Sequence, residues 1–168
     1  MTRTNQVFFV RILLVFMLLS TCALVGMVGV DFEMTDSVGT EENLAVTVSA
    51  GIGHTMILKT DGTLWGFGAN HWGQLGDGTN IYRDTPVKIM EGVRSVSAGS
   101  VHTMILKTDG TLWACGSNEY GQLGLSSETT RSFTPVKIME GVRYVDAGYD
   151  TTMILKTDGT LWSCGRNY

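Results

Sequence analysis

Proline is almost absent from this chain of 168 residues, which holds two prolines, three cysteines and three histidines. Two prolines cannot build long Pro-rich linkers, and the 21 glycines point instead to many tight turns. Charge is sparse too, at 17% of residues, and no acid precedes Asp31. Beyond residue 30 stand ten basic residues against sixteen acidic ones. A basic stripe able to neutralise phosphates is therefore missing, which excludes nucleic acid as the expected partner. What is present is apolar: 43% hydrophobic residues support a packed core, and the length suits one domain of ordinary size.

The first thirty residues differ from the rest. Arg3 and Arg11 precede Ile12–Val30, nineteen residues without a charge, and five acids with no base follow by Glu42. Basic before and acidic after orients the N-terminus inward and the remainder outward. Two readings stand side by side. A cleaved signal peptide would use Ile12–Leu19 as its apolar region, with small residues near Thr21–Ala23 for cleavage. An uncleaved anchor would use all nineteen residues, close to the ~20 that span a bilayer. Either makes this segment an apolar helix and the protein exported, secreted or held on the outer face of the cytoplasmic membrane. Residues 1–30 are thus signal or anchor, 31–45 an acidic linker, and any membrane contact is made through residues 12–30.

From residue 46 onward the chain repeats itself. "LKTDGTLW" occurs at Leu58–Trp65, Leu106–Trp113 and Leu155–Trp162. "GQLG" recurs at Gly73–Gly76 and Gly121–Gly124, and "TPVKIMEGVR" at Thr85–Arg94 and Thr134–Arg143. The units are 46–92, 93–141 and a partial 142–168. Self-similarity at a fixed period is the first thing to read in any sequence, because it decides the fold. Within each unit, Asp-Gly between two β-prone runs signals a hairpin. A two-residue Asp61-Gly62 loop would pair Thr60 with Thr63, setting Leu58 opposite Trp65 and Met56 opposite Phe67. Ile57 and Leu64 would then lie on the other side. Apolar groups on both faces imply a sheet covered on both sides. "VRSVSAG" and "TPVKIM" add two further strands, with Pro86 and Pro135 at the start of the last. The fold class that follows is all-β: an incomplete β-propeller, an open arc of two full four-stranded blades plus a partial third. An open β-solenoid is the alternative architecture.

These motifs carry a family resemblance. His54-Thr55, Asp61-Gly62, Leu64-Trp65, Phe67-Gly68, Asn70 and Gly73-Gln74-Leu75-Gly76 form one series. His102-Thr103, Asp109-Gly110, Leu112-Trp113, Cys115-Gly116, Asn118 and Gly121-Gln122-Leu123-Gly124 form the next. The pattern resembles the repeat of the regulator of chromosome condensation family, in a bacterial-type exported form. The third unit departs from it, with Asp150 in place of the histidine and no Gly-Gln-Leu-Gly after Asn167. On that resemblance the sequence reads as the N-terminal portion of a longer protein, expected to pack against further repeats. The resemblance also implies a seven-bladed ring in the founding member and a role as an interaction scaffold.

Each tempting chemical site has a plainer reading. His54 and His102 occupy equivalent positions and read as framework hydrogen-bonding groups, not a metal pair. "GFGANHWG" ends a strand without opening a helix, so it is no nucleotide loop. Asp61, Asp109 and Asp158 are turn residues. Cys115 and Cys164 share a position with Phe67 and read as buried thiols. Trp65, Trp113 and Trp162 read as core. No catalytic residue, cofactor or metal ligand is expected. What does differ between units lies in the loops. Trp72, Tyr82, Arg83, Tyr120, Arg131 and Phe133 are the candidate contacts for a protein partner, aromatic and arginine residues being the usual anchors. The expected function is a non-catalytic protein-interaction scaffold acting through rim loops. The alternative is a surface-anchored carbohydrate-binding or enzymatic protein whose active part lies in further sequence downstream. Three units cannot close a ring, which predicts exposed apolar end faces and association or poor solubility.

Overall fold

A computed structural model describes residues 45–167, so the signal, anchor, N-terminal helix and nearly all of the acidic linker lie outside the described residues. Among the described residues the chain forms strands alone, eleven of them, in three antiparallel sheets. Strands β1 (Ala45–Ala50), β2 (His54–Lys59), β3 (Leu64–Gly68) and β4 (Arg83–Met90) make the first sheet in sequence order. The second contains β5 (Val93–Ala98), β6 (His102–Lys107), β7 (Leu112–Ser117) and β8 (Arg131–Met139). The third has β9 (Val142–Ala147), β10 (Thr151–Lys156) and β11 (Leu161–Gly165). Each sheet is one blade, and the all-β architecture with two four-stranded sheets and one of three is the expected one.

The hairpin register differs from the expectation by one residue. Leu58 pairs with Leu64 and Ile57 with Trp65, and the same holds for Leu106–Leu112 and Leu155–Leu161. The cause is the turn. The Gly62 amide donates to the Lys59 carbonyl and the Lys59 amide to the Thr63 carbonyl, closing a three-residue loop. Gly62 takes the left-handed position at φ 78°, where a side chain would be strained. Asp61 Oδ1 accepts from both the amide and the hydroxyl of Thr63, at 2.9 and 2.7 Å, which locks the loop. One extra loop residue moves every partner to the other face. Met56, Leu58 and Leu64 therefore share one face, with Ile57, Trp65 and Phe67 on the other. Both faces remain apolar, as a blade between two neighbours requires.

The prolines also sit differently. Pro86 and Pro135 lie inside β4 and β8, not at their starts, in stretches where the register slips between Gly66 and Gly68 and between Ala114 and Gly116. A bulge on an outermost strand tolerates the missing amide.

Two cores join the blades. Met56, Leu58, Leu64 and Leu75 of the first blade pack with Val93, Val96 and Ile105 of the second. Met104, Leu106, Leu112, Ala114 and Leu123 of the second pack with Val142, Val145 and Ile154 of the third. The middle blade is thus covered on both faces. The tryptophans are less buried than expected: Trp65 and Trp113 are half-buried and Trp162 is 53% exposed. Each indole N–H donates to the threonine hydroxyl two residues earlier, and a lysine ammonium lies over the ring. These rings cover the outer end of the hairpin.

Leu112 is fully buried and its counterpart Leu161 is 65% exposed. Leu112→Ala is therefore expected to cost about 2–5 kcal/mol, and Leu161→Ala no more than about 0.5 kcal/mol. Urea denaturation midpoints of the two variants measure the difference.

Candidate functional site: the loops and seams between blades

The Gly-Gln-Leu-Gly turn is built by the asparagine before it. Asn70 Oδ1 accepts from the Leu75 amide at 3.0 Å, and Asn118 Oδ1 from the Leu123 amide at 2.9 Å. Their side-chain amides donate onward into the variable loop, to Asp77 and the Thr79 carbonyl in one unit and the Thr129 carbonyl in the other. Gln74 and Gln122 turn inward, their Oε1 atoms accepting from the amides of Trp72 and Tyr120 at 2.9 Å. The two aromatic residues are therefore held by the most regular part of the repeat.

A buried relay crosses each seam. The Thr103 hydroxyl donates to the Gln74 carbonyl at 2.7 Å, which uses its single proton. His54 Nε2, 2.9 Å from the Thr103 hydroxyl oxygen, must then be the donor to it. His102, Thr152 and the Gln122 carbonyl repeat the arrangement at 3.1 and 2.7 Å. The Nδ1 atoms of both histidines are buried without a partner. Each ring lies against a glycine: a Cβ at Gly99 would sit 2.2 Å from His102 Cε1. Burial, and for His54 the neighbouring His102, holds these histidines near pKa 4 instead of 6.5. At His102 the nearby Asp150 works against burial without overcoming it. The histidines are neutral framework groups, each with its Nε2 committed to a bond across a seam. Among the described residues, no group of three His, Cys, Asp or Glu is placed to hold a metal ion.

The two cysteines among the described residues are free thiols, Cys115 buried and Cys164 partly so. Burial pushes Cys115 up to about 12, which removes its thiolate at neutral pH. Cys164 is raised for the same reason.

The six candidate contact residues do not form one patch. Trp72, Arg131 and Phe133 come together, the Arg131 guanidinium lying 5.8 Å from the Trp72 ring and 5.4 Å from the Phe133 ring. This is stacking distance for a cation on an aromatic face. The loop of the first blade meets the outer strand of the second here. A Cβ on Gly73, at φ 81°, would stand 2.7 Å from the Phe133 Cα, so only glycine allows the approach. The Gly78 amide donates to the Phe133 carbonyl at 2.9 Å across the same seam. Arg131 is exposed; Trp72 and Phe133 are half-buried.

Arg83 is turned to another task. Its Nε donates to Asp77 Oδ2 at 2.6 Å, and its Nη2 reaches the Thr79 hydroxyl at 3.3 Å. Burial opposes the Asp77 charge, yet bonds from Thr79, Arg83 and Asn70 together hold its carboxyl below the usual range. Arg83 therefore shapes the loop that displays Tyr82, which is 66% exposed beside Ile81 at 57%. Tyr120, 46% exposed, pairs with a residue the sequence reading did not select: the Arg166 guanidinium lies 4.6 Å from its ring. Arg166 also reaches Asp150 Oδ2 at 3.4 Å. The available signal was its alignment with Ala69 and Ser117, where no other unit carries charge.

Regulator of chromosome condensation (RCC1) repeat models match this chain at residues 61–106 and 109–155, and a second such model at 45–74 and 93–122. The chain belongs to the RCC1 repeat family. Over 42 residues, a quarter of its length and 10% of the relative's, it is 45% identical to the ultraviolet-B receptor UVR8 of Arabidopsis thaliana. Yeast RCC1 (Prp20), solved bound to Kap60, superposes with a TM-score of 0.66 at 25% identity, over 77% of this chain and 31% of that one. Human WBSCR16 shares the fold, with a TM-score of 0.68 at 23% identity, over 74% of this chain and 33% of that one. The chain thus spans about a third of the length of these two solved chains. RCC1-repeat propellers are usually non-catalytic, and often interaction scaffolds.

The seam histidines make stability depend on pH. A folded-state pKa near 4 means that the native protein refuses a proton the unfolded chain accepts. Their stabilisation is complete above about pH 6.5 and is lost as pH falls toward 4, by up to about 3 kcal/mol for each. Denaturation curves across this range should show the loss, and His102→Asn should show a smaller one.

Proposed function

We propose that this protein is an exported RCC1-type scaffold that binds another protein through the seam loops of its blades, without chemistry of its own. The observation that carries the reading is the Trp72–Arg131–Phe133 cluster. Its three residues differ from unit to unit, yet a repeated frame of Asn, Gln and Gly holds Trp72 beside the strand that carries the other two. Rigid aromatic rings flanking an exposed arginine lose little entropy on binding, and such residues dominate contact energies. Tyr120 with Arg166 is a second, smaller anchor on the next loop. The relatives lend support by class: the Prp20 structure is a complex with the protein Kap60, and another study of Prp20p reports binding to Gsp1p and histones. Export rests on the basic-apolar-acidic order of residues 1–42, and membrane contact, if retained, on residues 12–30. An acidic body suits a protein partner over nucleic acid.

The test is capture from an envelope extract with the full chain as bait, compared with Trp72→Ala and Tyr120→Ala by quantitative mass spectrometry. A partner retained by the wild type should bind the Trp72 variant at least about thirtyfold more weakly, the effect of a ~2 kcal/mol anchor. Equal capture by all three proteins would end the rim-loop reading.

A further inference from the structure

Among the arginines of the described residues, Arg131 stands apart. Arg83 spends its guanidinium on Asp77 and Thr79, and Arg166 pairs with Asp150 while lying over Tyr120. Arg131 is exposed and lies over two rings, 5.8 Å from Trp72 and 5.4 Å from Phe133. No acceptor among the described residues takes its N–H donors. The cluster sits at the seam between the first and second blades, and both of those blades are described in full. The guanidinium is positioned from both sides. Arg131 opens β8 and is paired there with Ser117 of β7, and Phe133 follows on the same strand face. Trp72 is held by its amide, which donates to Gln74 Oε1 at 2.9 Å, and Gly73 brings that turn against Phe133. A guanidinium stacked on rings keeps its N–H edge available for a planar acceptor.

We propose that this edge binds one carboxylate, from an aspartate or glutamate in an exposed segment of the protein partner, with an apolar neighbour of that residue resting on Trp72 and Phe133. The proposal rests on the rim-loop reading of the cluster and names the chemistry it recognises. The planar fork of a guanidinium matches a carboxylate in two parallel hydrogen bonds. The half-buried rings exclude water from one side of the pair, which strengthens it, and offer surface to an apolar side chain. The cluster holds one cation, and the chain beyond residue 30 carries ten basic residues against sixteen acidic ones. That balance suits a single negative charge and repels an acidic run or a doubly charged phosphate.

The experiment pans the full chain, in a mild non-ionic detergent, against a displayed library of random peptides and measures the selected peptides by fluorescence anisotropy. Peptides taken by the wild type should carry one Asp or Glu beside an aromatic or aliphatic residue. Their affinity should fall about ten- to a hundredfold in Arg131→Ala, through loss of a charge-assisted bond. Arg131→Lys should recover only part of it, since an ammonium keeps the charge without the fork. Panning on Arg131→Glu should select basic residues in place of acidic ones. Arg131 is exposed, so all three variants should give circular dichroism melts close to that of the wild type. The proposal is overturned if panning yields no acid-bearing peptide, or if Arg131→Ala binds the selected peptides as tightly as the wild type. Tighter binding of poly-glutamate, or of a peptide with phosphoserine in the acidic position, overturns it too. Partner capture that depends on Trp72 but is unchanged in Arg131→Ala keeps the rim-loop reading and sinks this one.

Discussion

The seam between blades depends on one buried relay: a histidine of one blade donates to a threonine of the next, and that threonine donates back to a glutamine carbonyl of the first. Apolar packing supplies most of the driving force for stacking two sheets, but it is indifferent to small sliding. Directional bonds in a buried site are not, because a misplaced donor there goes unsatisfied at about 1–3 kcal/mol. The relay thus fixes how the blades sit while Met, Leu and Val fill the space between them. It also ties the hairpin of the second blade to the Gly-Gln-Leu-Gly turn of the first, and so to the loops that carry the exposed aromatic residues.

The same arrangement explains why the variable residues are well placed. Gln74 joins the relay through its carbonyl and holds the Trp72 amide through its side chain. Gly73 lets the turn approach the second blade's outer strand, bringing Trp72 beside Arg131 and Phe133. A surface feature of the first loop thus rests on residues that recur in the second unit, Gly121 and Gln122. At the third unit the relay changes character. Asp150 replaces the histidine, and instead of donating it accepts from Ser100 and Arg166. Arg166 is thereby held within reach of Tyr120, which gives the second loop an aromatic–cation pair of its own.

Much of the fold was legible in the sequence because the period is explicit: recurring Asp-Gly, Gly-Gln-Leu-Gly and Thr-Pro segments mark strands and turns without help from context. The hairpin register was not legible. Asp-Gly serves a two-residue or a three-residue loop equally well, and the choice depends on whether Gly62 closes the turn onto Lys59. The tryptophans were over-read for a related reason. Periodic placement shows that a position is shared, not how far the next blade reaches over it. Of the candidate contact residues, Arg83 illustrates what a linear reading misses, since Asp77 and Thr79 become its partners only when the loop folds back on itself.

The sequence by itself determined the repeat, the strand content and the turn glycines, because these follow from local chemistry and from identity between units. Tertiary structure alone decided which variable side chains meet. Trp72 and Arg131 lie 59 positions apart, and Tyr120 and Arg166 lie 46 apart. Each pair spans a seam, and the geometry of a seam belongs to two blades at once: it is set by buried hydrogen bonds and glycine contacts between them, which neither blade's sequence specifies alone.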